Sequence, residues 1–195
     1  MERPHTDHAG QITVLDLHGP NPPSRFGKNR HAVGLLDVHT GEGDPNFIVH
    51  KSDCVAKIEH YFTRNEGRDG CTFKGGTLYT DNEIVLNSAA MHSMCAKHGV
   101  TIRNSCEYEP WQNGIIERYW HTLFDWMSVS HARGFADETV GESYWTFSMA
   151  QGAEVHTCTG HSWNADDDGM TPREHRTGRA PRLGSARPLF CLVYT

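Results

Sequence analysis

The chain of 195 residues has no apolar run that could cross a membrane. Its longest, Leu189-Phe190-Cys191-Leu192-Val193-Tyr194, falls far short of the roughly 18 residues a spanning helix needs and reads as a strand. The N-terminus is polar and His-rich and lacks the apolar segment of a secretory signal. The expectation is an intracellular protein, nuclear or cytoplasmic and not secreted, with no membrane partner. The six cysteines, Cys54, Cys71, Cys95, Cys106, Cys158 and Cys191, include no C-x2-C pair, which argues against a zinc knuckle. Their apolar or helical flanks suggest reduced, mostly buried thiols. Basic excess is also missing. The net charge of −6 is a poor global signature for a nucleic-acid partner, although five arginines and one acid lie between Arg173 and Arg187. There is no internal repeat and no low-complexity tract.

What is present is a chain long enough for one domain with a real core, 37% hydrophobic and 22% charged. Residues 1–10 read as a disordered tail. Strands are expected at 11–17, 31–38, 47–50, 77–81 and 100–103, separated early by the proline-rich loop Gly19-Pro20-Asn21-Pro22-Pro23-Ser24. A helix capped by Ser52 or Asp53 places Val55, Ile58, Tyr61 and Phe62 on one face. Another, at 84–98, stops before Gly99. A polar stretch, 104–113, leads to the longest helix, whose Ile116, Trp120, Leu123, Phe124 and Met127 follow a 3.6-residue period. A helix at 139–157 and a polar loop with Asp166-Asp167-Asp168 follow. Thr171-Pro172-Arg173-Glu174 then has the form of a capping box. The order implies an α/β fold: a mixed sheet flanked by helices.

Three acids stand out within this frame. Asp16 ends the first strand, Asp81 ends the fourth, and Glu117, 35 intervening residues later, opens the longest helix. Carboxylates on scaffold ends can converge on hard divalent ions, and two such ions suffice for in-line phosphoryl transfer. A helix dipole would favour an ionised Glu117 in a first turn. Each acid taken alone has a plainer reading as a turn former or a helix-end acid, the commoner one for an Asp at a strand end, so specificity has to come from the neighbours.

Those neighbours resemble the integrase catalytic core of retroviruses and long-terminal-repeat retrotransposons, known by a D, D-x35-E triad on a ribonuclease-H-like fold. Thr80-Asp81-Asn82 resembles the second-aspartate motif T/S-D-N-G. Tyr108-Glu109-Pro110-Trp111-Gln112-Asn113-Gly114-Ile115-Ile116-Glu117-Arg118 resembles Y-x-P-x-x-N-G-x-x-E-R. Asp16-Leu17-His18-Gly19-Pro20 is similar to the D-x-x-G-P of copia-type elements, and 170–181 to their T-P-x-E-x-x-T-G-x-x-P tail. The sequence departs from the pattern at Glu83, where glycine is usual, and at Tyr119 and Trp120, where basic or polar residues are usual.

The resemblance implies a ribonuclease-H-like fold with a five-stranded mixed sheet. It implies a tail at 1–10, a catalytic core at 11–158 and an extension at 159–195. The implied activity is metal-dependent trimming of DNA 3′ ends followed by strand transfer. Asp16, Asp81 and Glu117 would be both catalytic and ligands of two Mg²⁺ or Mn²⁺ ions. Asn82, Gln112, Asn113, Arg118 and His121 would approach DNA, with Gln112 and Asn113 on a mobile loop. Element ends and target DNA would be the partners, in a homo-oligomer. Asp37 fits better as a non-catalytic strand residue. Two other readings use the same residues: a folded relic that binds nucleic acid or protein with silent acids, and a ribonuclease-H-type nuclease acting on RNA–DNA hybrid.

Overall fold

Alternation along two strands decides the architecture. In β1 (Ile12–His18), Leu15 and Leu17 face one way while Val14 and Asp16 face the other. In β2 (His31–Asp37), Val33 and Leu35 oppose Ala32 and Leu36 in the same manner. Both faces of these strands are apolar, so both must be covered. The computed structural model, which describes residues 4–81, 83–104, 110–134 (backbone only for 110–113), 141–159 and 169–182, shows how.

One face carries α1 (Cys54–Asn65) and α2 (Ala89–His98), with Ile58, Phe62, Met91 and Cys95 buried against Leu15, Val33, Leu35 and Leu78. The other carries α3 (Pro110–Gly134) and α4 (Trp145–Cys158), which bury Ile115, Ile116, Tyr119, Trp120, Leu123, Trp145 and Met149 against Val14, Ala32 and Leu36. Between the layers runs a five-stranded sheet that adds β3 (Gly43–Ile48), β4 (Thr77–Thr80) and β5 (Thr101–Asn104), in the order β3-β2-β1-β4-β5. The β1–β2 and β2–β3 pairs are antiparallel, and β1–β4 and β4–β5 are parallel. The sheet is therefore mixed and five-stranded, as expected.

Local chemistry explains the boundaries. Ser88 caps α2 by accepting the Met91 N–H at 3.3 Å, and Gly99 closes it in the left-handed conformation at φ 69°. The expected start at 84 is five residues early because 84–87 form turns ahead of that cap. The third strand, expected at 47–50, occupies Gly43–Ile48. Pro45 hid it, and the proline is tolerated because β3 is an edge strand. The polar stretch expected to reach 113 is cut short by α3, which begins at Pro110. Within the stretch expected as disordered tail, Ala9 and Gly10 are buried, and the Ala9 carbonyl accepts the Thr72 N–H. Cys54, Cys71, Cys95 and Cys158 are buried free thiols, and burial pushes that of Cys71 up to about 12. The expected strand at 189–194, the Asp166–Asp168 loop, Cys106 and Cys191 lie outside the described residues.

The short helix α5 (Pro172–Thr177) is held at both ends as its sequence implies. Thr171 accepts the Glu174 N–H at 3.0 Å, and Gly178 ends the helix at φ 67°. It is tied to the core by charge. Arg176 pairs with Glu42 and lies 3.5 Å from Asp69, with its own side chain only 10% exposed. Arg173 pairs with Glu154 in a more open setting. Burial raises the Glu42 pKa, and the guanidinium of Arg176 opposes that rise.

Arg176→Ala leaves Glu42 in its half-buried position without its main counter-charge. The expected cost is about 1–3 kcal/mol in chemical denaturation, below that of a fully buried pair because Glu42 retains some solvent. Glu42→Gln in the same background should recover part of that loss. Additive single and double variants would show that the two residues do not act as a pair.

Candidate active site

The parallel register of β1 and β4 brings two acids together. Ile12, Thr13, Val14 and Leu15 pair with Thr77, Leu78, Tyr79 and Thr80, so the next step along both strands sets Asp16 beside Asp81. Both stand at the carboxyl end of this parallel pair, where open α/β sheets hold ligands. The charges interact. The pKa of Asp16 is raised, first by burial and further by the negative charge of Asp81, with a smaller push from Glu83. Two hydrogen bonds oppose the rise. The Trp120 indole donates to Asp16 Oδ2 at 2.8 Å, and the Leu17 backbone N–H donates to Oδ1 at 2.9 Å. Asp81 Oδ1 accepts the Glu83 N–H at 3.1 Å, which closes the turn that ends β4.

Trp120 reaches Asp16 because β2 makes room for it. Gly34 is the register partner of Asp16 on β2. A Cβ at Gly34 would lie 2.6 Å from Trp120 Cζ2, so only glycine lets the indole lie against the strand. The ring is then braced by Phe124, stacked at 6.1 Å, and by His18 at 5.7 Å. Burial lowers the pKa of His18, favouring the neutral imidazole, while a hydrogen bond from the ring to the Asn21 side chain opposes that shift. Neither Trp120 nor Gly34 was singled out from sequence as part of the site. The available signal was spacing: Trp120 falls three residues after Glu117, nearly one helical turn, so an α3 that presents Glu117 near the sheet also presents Trp120.

The remaining expected residues are placed unevenly. Glu117 is the eighth residue of α3, two turns in, and it is exposed. The first-turn dipole argument therefore does not apply to it: the helix starts at Pro110, ahead of the expected boundary. Arg118 and His121 are also exposed on α3. Gln112 and Asn113 lie in the first turn of α3 and not in a loop. Asn82 lies outside the described residues. Among the described residues, no group of three or more His, Cys, Asp or Glu side chains is assembled to hold a metal ion. Asp16 and Asp81 meet, and Glu117 does not complete a triad with them.

Glu83, the departure from the glycine pattern, does not leave its carboxylate unpaired. It accepts from Lys51 Nζ at 2.6 Å, in a pair that is 28% exposed on the Glu side. Its carbonyl accepts from Asn87 Nδ2 at 3.2 Å. Asp37 has a structural part. Its carboxylate accepts from the Gly10 N–H, the Thr40 N–H and the Thr40 hydroxyl, each at 2.8 Å, and so fastens the turn after β2.

No protein-family model matches the chain, and no curated protein sequence matches it. Among solved structures, it is similar to the catalytic core domain of BIV integrase, with a TM-score of 0.55 and 14% sequence identity over 87% of this chain and 95% of that one. The two share a fold. At that identity the likeness establishes the ribonuclease-H-like architecture and leaves chemistry to the residues.

The raised pKa of Asp16 has a definite sign in stability. A carboxyl that is harder to ionise folded than unfolded adds no penalty below its unfolded value, near pH 4. Its penalty is complete once pH has risen through the folded value. Asp16→Asn should therefore gain stability relative to the parent on going from about pH 3 to pH 7. A stability difference that stays flat, or falls, over that range in denaturant titrations would contradict the burial and repulsion assigned to Asp16.

Proposed function

We propose that this chain is a polynucleotidyl transferase domain of the integrase type, cutting and joining DNA phosphodiesters with divalent metal. The observation that carries the reading is the pairing of Asp16 and Asp81 at the carboxyl ends of adjacent parallel strands, in the fold of an integrase core. Asp16 is half-buried and repelled by Asp81, so a cation placed between them would relieve both. The donor set is oxygen only, which suits Mg²⁺ or Mn²⁺ over softer ions.

In this reading Asp16 and Asp81 hold the metal, and Glu117 closes on them from α3. Bound divalent ions would supply charge neutralisation at the phosphate and a more nucleophilic oxygen, from water in end trimming or a 3′ hydroxyl in strand transfer. The Trp120 indole fixes the orientation of the Asp16 carboxylate, as outer-shell donors do for metal-binding carboxylates. The Lys51–Glu83 pair keeps one further carboxylate from adding its full charge beside Asp81. Arg118 and His121, exposed on the helix that carries Glu117, would meet the DNA backbone in this reading.

The exposed position of Glu117, outside any three-acid group, favours a second reading: an integrase-derived module that binds nucleic acid or protein with silent acids. Metal titration separates the two. The enzyme reading expects saturable Mn²⁺ binding by calorimetry, and the silent module expects none at millimolar metal.

Asp81→Asn and Glu117→Gln should each abolish Mg²⁺- or Mn²⁺-dependent nicking of a DNA end substrate, a loss of at least ~100-fold, with the circular dichroism spectrum unchanged. Metal-dependent nicking that survives in either pure variant removes the assignment. Cleavage confined to RNA–DNA hybrid would move it to a ribonuclease-H-type nuclease.

A further inference from the structure

The loop from β1 to β2, residues 19–30, carries Arg25, Lys28 and Arg30 and no acid, in a chain whose net charge is −6. All three cations are exposed, and none forms an ion pair among the described residues. At the tip of the same loop Phe26 is 59% exposed. It meets two aromatics at the start of α4. Phe147, 44% exposed, lies edge-on at 5.8 Å, and Tyr144 lies edge-on at 6.2 Å.

Single exposed hydrophobics are ordinary on soluble proteins. This group differs because the loop is built to hold it out. Ser24 is fully buried, and its hydroxyl donates to the Phe26 carbonyl and accepts the Asn29 N–H at 2.9 Å. The Ser24 N–H donates to the Asn29 carbonyl at 3.0 Å, the Arg25 N–H to the Ser143 carbonyl, and the Trp145 indole to the Pro22 carbonyl at 2.9 Å. Left-handed Gly27 and Lys28, at φ 75° and 54°, turn the tip. A pinned loop could have buried its one aromatic and does not.

The patch is joined to the acidic pair through a short chain of contacts. Asn21 hydrogen-bonds His18, His18 packs on Trp120, and the Trp120 indole donates to Asp16. We propose that this patch binds unpaired nucleotides of single-stranded DNA, with bases stacking on Phe26 and Phe147 and phosphates meeting Arg25, Lys28 and Arg30. Exposed aromatic rings interleaved with cations are the general means of holding a single strand without reading its sequence. A duplex offers no free base faces to such rings, so the patch discriminates by strandedness. The choice of DNA rests on the reading of the neighbouring acids as a DNA site. The stacking chemistry does not depend on it.

The test is fluorescence anisotropy of the full chain with a labelled oligo-dT of about 20 nucleotides, in low salt with EDTA so that metal chemistry plays no part. The parent should bind the single strand more tightly than a duplex of equal length. Phe26→Ala and Phe147→Ala should each weaken single-strand binding by ~5- to 100-fold, with melting curves unchanged. Phe26→Tyr should retain binding, and Arg25→Ala or Lys28→Ala should flatten the salt dependence by about 0.7 in logarithmic slope each. A parent that does not bind, that prefers duplex, or that binds equally well as Phe26→Ala overturns the proposal. Preference for oligo-U over oligo-dT overturns the assignment to DNA. Because the assay needs no metal, loss of nicking in Asp81→Asn with intact strand binding supports both readings. Parent nicking without patch-dependent binding removes this one alone.

Discussion

The contact of Trp120 with Gly34 and Asp16 ties the helical layer to the sheet. The indole lies where a β-carbon on strand β2 would be, and its N–H reaches across to the carboxylate on β1. One side chain thereby fixes the distance of α3 from β2, its rotation about its own axis, and the orientation of Asp16. Tyr119 depends on a similar accommodation one strand further out, where its ring occupies the space beside Gly43. Two adjacent aromatics on one helix thus sit over two glycines on neighbouring antiparallel strands. Interiors packed to this density do not absorb an extra methyl group without moving a helix or a ring. The position of Glu117, nearly one turn before Trp120, follows from that lock.

Charge is distributed around the same frame with a consistent logic. Where an acid serves the fold, a cation or several N–H and O–H donors meet it: Arg176 for Glu42, Lys51 for Glu83, Arg64 for Asp44, three donors for Asp37. The exposed members of this set contribute little to stability individually. Arg25, Lys28 and Arg30 on the β1–β2 loop form no ion pair among the described residues, and they occur in a segment free of acids. A net charge of −6 therefore misleads as a guide to partners, because what a ligand meets is the local surface and not the sum.

Much of the fold was legible from the sequence. An apolar face marked α1, a 3.6-residue period marked α3, and Gly99 and the Thr171 capping box marked helix ends. The errors have physical causes. Pro45 masked β3, since a proline in a strand is acceptable only at an edge, and edge status is a tertiary fact. The start of α3 was hidden because its first turn, 110–113, lies ahead of the apolar period that begins at Ile116. Ala9 and Gly10 read as tail because their contacts are made through backbone: the Ala9 carbonyl to the Thr72 N–H, and Gly10 against Thr72 and Cys71. At the site, the Asp16–Asp81 encounter could be anticipated from motif residues at strand ends. The part of Trp120 was legible only as spacing, three residues after Glu117, because the glycine whose space the indole fills lies 86 positions away and leaves no local trace.

Asp37 and Asp16 together show what separates a structural acid from a candidate functional one. Both lie near strand ends, on paired strands. Asp37 has both oxygens occupied by three donors from its own turn and from Gly10. Asp16 has one donor on each oxygen, is burdened by burial, and faces Asp81, which makes its charge harder to keep. A fold selected for stability alone would relieve that arrangement with an amide or a hydroxyl. In the proposed reading, a cation held between two carboxylates at the carboxyl ends of β1 and β4 would offset that cost. The proposed metal-dependent chemistry supplies the reason for a cost that the packing of the core does not explain.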